Sequence, residues 1–105
     1  ELATAVAQKA KIRVIVANNN HYGTIRYHQE VHFPTRDHYA TNLVNPDFAK
    51  YGESFGLKCF TIYNTEQILP TIKSAMEVDG PSLIEFKMSL ELNTSTTTIS
   101  QLQTN

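Results

Sequence analysis

The sequence has a single cysteine, Cys59, so it can hold no internal disulfide framework. That scarcity points to a reducing, cytoplasmic compartment. Tryptophan is absent, and no apolar run approaches the roughly 20 residues that a membrane-spanning helix needs. Basic runs are also absent. The net charge of −1, with histidine neutral, gives nucleic acid or an anionic membrane nothing to hold. The opening residues, Glu1-Leu2-Ala3-Thr4-Ala5, lack the basic and apolar regions of a signal peptide. Neither a Gly-x-Gly-x-x-Gly loop nor a Walker sequence is present, which removes the usual basis for nucleotide binding. What remains is 105 residues, 41% hydrophobic and 18% charged, enough for one small globular core.

Helix-like and strand-like segments alternate along the chain. Glu1 to Ala10 reads as the end of a helix with no capping residue before it. The reading therefore expects part of the structure to lie upstream. Ile12 to Ala17 is apolar and β-branched, as in a strand buried on both faces. Three asparagines follow it. Thr24 to His32 has a weak helical pattern, and Phe33 to Leu43 reads as loop.

Asn45-Pro46-Asp47 reads as a helix start with Asn45 as the cap, and Gly56 as its stop. Leu57 to Tyr63 suits a strand. Asn64 opens another helix, Gln67 is placed for a capping-box contact, and Pro70 either bends that helix or delays its start. Ser82 to Met88 is a third strand. From Asn93 to Asn105 Ser, Thr, Asn and Gln dominate, and composition predicts a flexible polar tail after a domain covering residues 1–92. Strands alternating with helices predict an α/β fold with a mostly parallel sheet and flanking helices, here incomplete because three strands make a thin sheet.

Open parallel sheets bind ligands at the carboxyl ends of their strands. Asn18 to His21 occupies that place. An asparagine oxygen is a neutral, hard ligand suited to Mg²⁺, and a loop carbonyl two residues later can reach the same ion. An Asn-rich turn with no ligand is the commoner explanation of the same residues at this point.

Val14 to Arg26, with the run Asn18-Asn19-Asn20-His21-Tyr22-Gly23, resembles the end of the thiamine-diphosphate motif, which starts with Gly-Asp-Gly and finishes with Asn-Asn. Glu1 to Val6 resembles the helix inside that motif, and the 18-residue step from Glu1 to Asn19 fits the family spacing. Asn45 to Ala49, Tyr51 to Gly56, Gly80 to Glu85 and Thr97 to Leu102 resemble later parts of the same domain. The likeness is greatest to the acetolactate synthase group.

The resemblance implies an incomplete flavodoxin-like, thiamine-diphosphate-binding fold. It implies a share in 2-keto-acid decarboxylation or carboligation, with thiamine diphosphate and Mg²⁺ as cofactors, a 2-keto acid as substrate and a homo-oligomeric enzyme. By the same carry-over Asn19 binds Mg²⁺ through its side chain and His21 through its backbone carbonyl. Asn18, Tyr22 and Gly23 match positions beside the diphosphate. The Gly-Asp-Gly part and the family's catalytic glutamate have no counterpart here, so no catalytic residue is assigned and the isolated segment is expected to be inactive.

Other readings were open. A non-catalytic α/β binding or oligomerisation module derived from the family accounts for the same loop. His21, His28, His32 and Cys59 raise zinc, without any Cys-x-x-Cys or His-Glu-x-x-His spacing. Cys59 sits mid-strand, which favours a small core residue over a nucleophile. Glu30, Asp37 and Asp47 raise paired acids, but Asp47 suits a helix start. Arg26 and Arg36 read as solvated loop charges. Phe48, Tyr51 and Phe55 read as a core stripe.

Overall fold

The structure is a computed structural model and describes residues 1–92 and 96–103. In chain order it runs α1 (Leu2–Ala7), β1 (Arg13–Asn18), α2 (Gly23–His32), α3 (Phe48–Ser54), β2 (Lys58–Ile62), a 3-10 turn (Thr65–Gln67), α4 (Ile68–Met76), β3 (Ser82–Lys87) and α5 (Ile99–Gln103). The chain divides into two compact units, Glu1–Asn18 with Pro46–Lys87, and Asn19–Asn45 with Met88–Asn105.

The first unit holds a parallel sheet in the order β1-β3-β2, so the mostly parallel α/β architecture expected from the alternation is present. The middle place falls to β3, and Ser82, Leu83, Ile84 and Glu85 are all buried. The sequence assigned two-sided burial to β1 instead. Among the described residues β1 pairs only with β3, and Ile15 is 60% exposed.

Alternation along β3 places Ser82, Ile84 and Phe86 on one face and Leu83, Glu85 and Lys87 on the other. On the first face Ile84 joins Ile62 and Ala75 in a core flanked by Phe60, Ile68, Ile72 and Phe86. Against Leu83 lies α3, at its Gly52. A Cβ added there would stand 2.6 Å from the Cys59 sulfur and 3.2 Å from a Leu83 methyl. The missing side chain is what lets this helix seat on the sheet.

Helix ends differ from expectation by small steps. The N-cap of α3 is Asp47, whose carboxylate accepts the Lys50 N–H at 3.0 Å, and Pro46 precedes it. Gly56 ends that helix region at a left-handed φ of 95°. Asn64 accepts the Gln67 N–H at 3.2 Å, while the Gln67 side chain reaches back to the Tyr63 N–H at 2.9 Å. Pro70 sits in the first turn of α4, where its missing N–H costs nothing. The aromatic stripe is not core: Tyr51 is 49% exposed and packs edge-on against a half-exposed Phe55.

The second unit is built on α2. Its Glu30 is buried and accepts from Arg26 at 3.3 Å and from Gln103 of α5 at 2.8 Å. Ile99 and Leu102 of α5 are buried as well. A helix therefore forms inside the stretch whose composition suggested a loose tail. Residues 93–95 and 104–105 of that stretch lie outside the described residues. Gln29 holds the loop by a two-way bond to the Tyr39 backbone, 2.9 Å to its carbonyl and 3.0 Å from its N–H.

Candidate functional site

Asn18 is the last residue of β1 and of the first unit's N-terminal segment. It is buried, and its amide nitrogen donates to Glu85 at 2.8 Å. Asn19 to Gly23 open the second unit. Asn20 adopts a left-handed φ of 58°, a conformation that asparagine tolerates.

Residues 41–43 hold the loop that follows. Tyr22 N–H donates to Thr41 at 2.8 Å, and Leu43 N–H donates to Asn20 at 2.8 Å. These bonds flank the antiparallel bridge of His21 with Asn42. His21 is thus in a non-hydrogen-bonded pair, and its own N–H and C=O point away from Asn42. On that side the His21 N–H meets the Asn19 side-chain oxygen at 3.4 Å, a long contact. The Asn19 oxygen and the His21 carbonyl accordingly face the same side of the loop.

Gly23 begins α2, and a Cβ there would come 3.3 Å from the Asn19 amide nitrogen. Glycine at this point leaves room for Asn19 against the helix start. Among the described residues no side chain caps α2, so its first N–H groups have no side-chain partner at the cap. A cleft of about 290 Å³ lined by His21, Tyr22, Gly23, Thr24 and Ile25 opens at this end of the helix. Unsatisfied N–H groups and the helix dipole suit an anion there.

The His21 ring is buried and its Nδ1 has no partner among the described residues. Burial pushes its pKa down, and the nearby Arg26 guanidinium and His38 push the same way. The ring is thereby disposed to stay neutral and contributes shape rather than charge.

The remaining candidates have structural partners. Among the described residues no group of three or more His, Cys, Asp or Glu could hold a metal. His28 and His32 stack on α2 with ring centroids 5.8 Å apart. Cys59 is half-buried, and burial with the nearby Glu53 carboxylate raises its pKa, the opposite of an activated thiol. Arg26 pairs with Glu30. The Arg36 guanidinium lies 5.6 Å from the centre of the Phe33 ring, beside a cleft that Asp37 also lines.

Sequence reasoning missed Glu85. It is 1% exposed, accepts from Asn18, and pairs with Lys87 at 2.7 Å. The signal available was a carboxylate in the middle of the apolar strand Ser82-Leu83-Ile84-Glu85-Phe86, a type that is buried only when paired.

A sequence model of the family described as thiamine pyrophosphate enzyme, C-terminal TPP binding domain, matches residues 1–86. The chain is 31% identical over 90 residues to the acetolactate synthase large subunit of Porphyra purpurea, covering 85% of this chain and 15% of that protein. It is 33% identical over 91 residues to a putative thiamine pyrophosphate-containing protein of Bacillus subtilis, covering 87% and 16%. Identity to an acetolactate synthase of the same organism is 32% over 85 residues, covering 81% and 15%. The chain therefore spans about one sixth of the length of these curated relatives.

Proposed function

Because the chain belongs to the thiamine pyrophosphate enzyme family, through its C-terminal TPP-binding domain, we propose that it is the segment that holds Mg²⁺ and the cofactor diphosphate in a 2-keto-acid decarboxylase or carboligase of the acetolactate synthase type. The observation that carries this reading is the pair of neutral oxygens, Asn19 side chain and His21 carbonyl, facing one side of a loop beside the uncapped start of α2.

The residues present fit the group. Mg²⁺ takes oxygen ligands and completes its octahedron with phosphate oxygens and water. Asn19 and His21 supply two oxygens without charge, which leaves the negative charge around the ion to the diphosphate oxygens and any further ligand. Gly23 and the first turn of α2 offer N–H groups to a diphosphate, and Tyr22, 53% exposed, forms a wall of the same cleft. Asn18, bonded to Glu85, ends β1 one peptide bond before Asn19. When bound, the cofactor supplies the nucleophilic carbon and electron sink for 2-keto-acid chemistry. This segment contributes position and exclusion of alternatives, not a proton donor or acceptor.

In the full-length protein, Asn19→Ala is predicted to lower thiamine diphosphate retention about 10-fold or more at limiting Mg²⁺ while leaving the unfolding midpoint of the cofactor-free protein nearly unchanged. Gel filtration followed by assay of bound cofactor measures the first, and thermal melting the second. Unaltered retention would remove Asn19 from the site.

A further inference from the structure

Glu85, like Glu30, carries a buried carboxylate that the proposed cofactor contacts do not use. Its Oε1 accepts the Asn18 amide at 2.8 Å and the Lys87 ammonium at 2.7 Å. All three side chains project from one face of the sheet, since Asn18 is in register with Lys87 and Glu85 lies two residues before it. A charge buried to 1% exposure is costly unless every strong lone pair is used, so the arrangement needs a compensating purpose or a full set of partners. Lys87 supplies the counter-charge, and its pKa is raised by the bond to Glu85. Asn18 supplies nothing of that kind. The bond instead fixes which way the Asn18 amide faces, because only its nitrogen can donate to a carboxylate. Asn18 is joined by one peptide bond to Asn19.

We propose that Glu85 is a positioning residue that, through Asn18, fixes the end of β1 from which the Asn19–His21 loop departs. The proposal rests on the Mg²⁺ reading of that loop. Outer partners of this kind orient ligands they never touch, and their loss weakens metal binding about 10-fold to 100-fold.

The test is calorimetric titration of Mg²⁺ into the full-length protein at saturating thiamine diphosphate, with no catalytic readout. Glu85→Ala is expected to weaken Mg²⁺ binding about 10-fold or more. Glu85→Gln retains an oxygen that can accept from Asn18, and it is expected to stay within about 3-fold of the parent. Should Glu85→Ala fail to fold, Asn18→Ala removes the other half of the same bond and carries the same expectation. Unchanged affinity in a folded Glu85→Ala or Asn18→Ala protein overturns the proposal. So does a Glu85→Gln loss as large as that of Glu85→Ala, because charge rather than orientation would then be the cause. Asn19→Ala, titrated alongside, separates two kinds of failure. If it too leaves Mg²⁺ affinity unchanged, the Mg²⁺ reading itself has failed.

Discussion

Gly52 and Cys59 meet where α3 approaches the sheet, and the space between them is already full. An alanine Cβ at position 52 would lie 2.6 Å from the Cys59 sulfur, well inside contact distance. Overpacking of this kind typically costs about 1–3 kcal/mol, more than the gain from alanine's helix propensity. Gly52→Ala is therefore predicted to destabilise the fold, and urea unfolding measures it. Combining it with Cys59→Ala should recover part of the loss, because the second change vacates the crowded space; strict additivity would show that the clash lies elsewhere. The same sulfur makes a pH prediction. Burial, then Glu53, raises the folded Cys59 pKa above its unfolded value. The unfolded chain then releases its proton first, so stability is whole below the unfolded thiol pKa and falls as pH rises through the folded one. Cys59→Ala should flatten that alkaline decline. A decline of equal slope in the variant would assign it to other groups.

At the scale of elements, Arg13 ties the end of α4 to the start of β1. Its guanidinium donates to the carbonyls of Met76 at 3.1 Å, Val78 at 2.9 Å and Gly80 at 2.7 Å. Met76 closes α4, whose last carbonyls have no helical partner, and Val78 and Gly80 lie in the turn beyond it. Arg13→Ala is predicted to cost about 1.5–3 kcal/mol in denaturant unfolding, and Arg13→Lys to restore only a minor part, since one ammonium cannot span three acceptors held by a planar fork. A full rescue by lysine would reduce the clamp to a simple charge effect. None of this was legible in sequence, where Arg13 is one cation at the head of an apolar run. The local signals were legible where chemistry is local: Gly56 as a stop, Asn64 as a cap, Pro70 within a first turn. Asn19, His21 and Gly23 are proposed from the resemblance of Asn18 to Gly23 to the family motif, a pattern that is local in sequence. Glu85 escaped because its partner Asn18 is 67 residues away, and α5 escaped because its burying face is only Ile99 and Leu102 in a polar stretch. Amide exchange discriminates between the loose tail suggested by composition and a docked α5. Slow exchange at Ile99 and Leu102, whose N–H groups donate to Glu91 and Thr98, would support the docked helix.

For the whole molecule the consequence of strand order is an open edge. The pairing of β1 with β3 leaves its other side without a strand among the described residues, and Ile15 there is 60% exposed, with Ile12 at 44%. Parallel strands are ordinarily covered on both faces, and an uncovered apolar edge is a template for another chain. No helix among the described residues is long and apolar enough to cross a membrane. The 105-residue segment, produced alone, is accordingly predicted to self-associate. Light scattering coupled to size exclusion should show a mass above its 11.9 kDa that rises with concentration. Ile15→Lys places a charge on the exposed strand and should shift the distribution toward monomer with little cost in stability, since that side chain is more out of the core than in it. A monomer at high concentration with Ile15 intact would mean that the edge is shielded by its own twist. An associated state indifferent to Ile15→Lys would move the interface to another surface, with the exposed aromatics Tyr39 and Tyr63 as the next positions to charge.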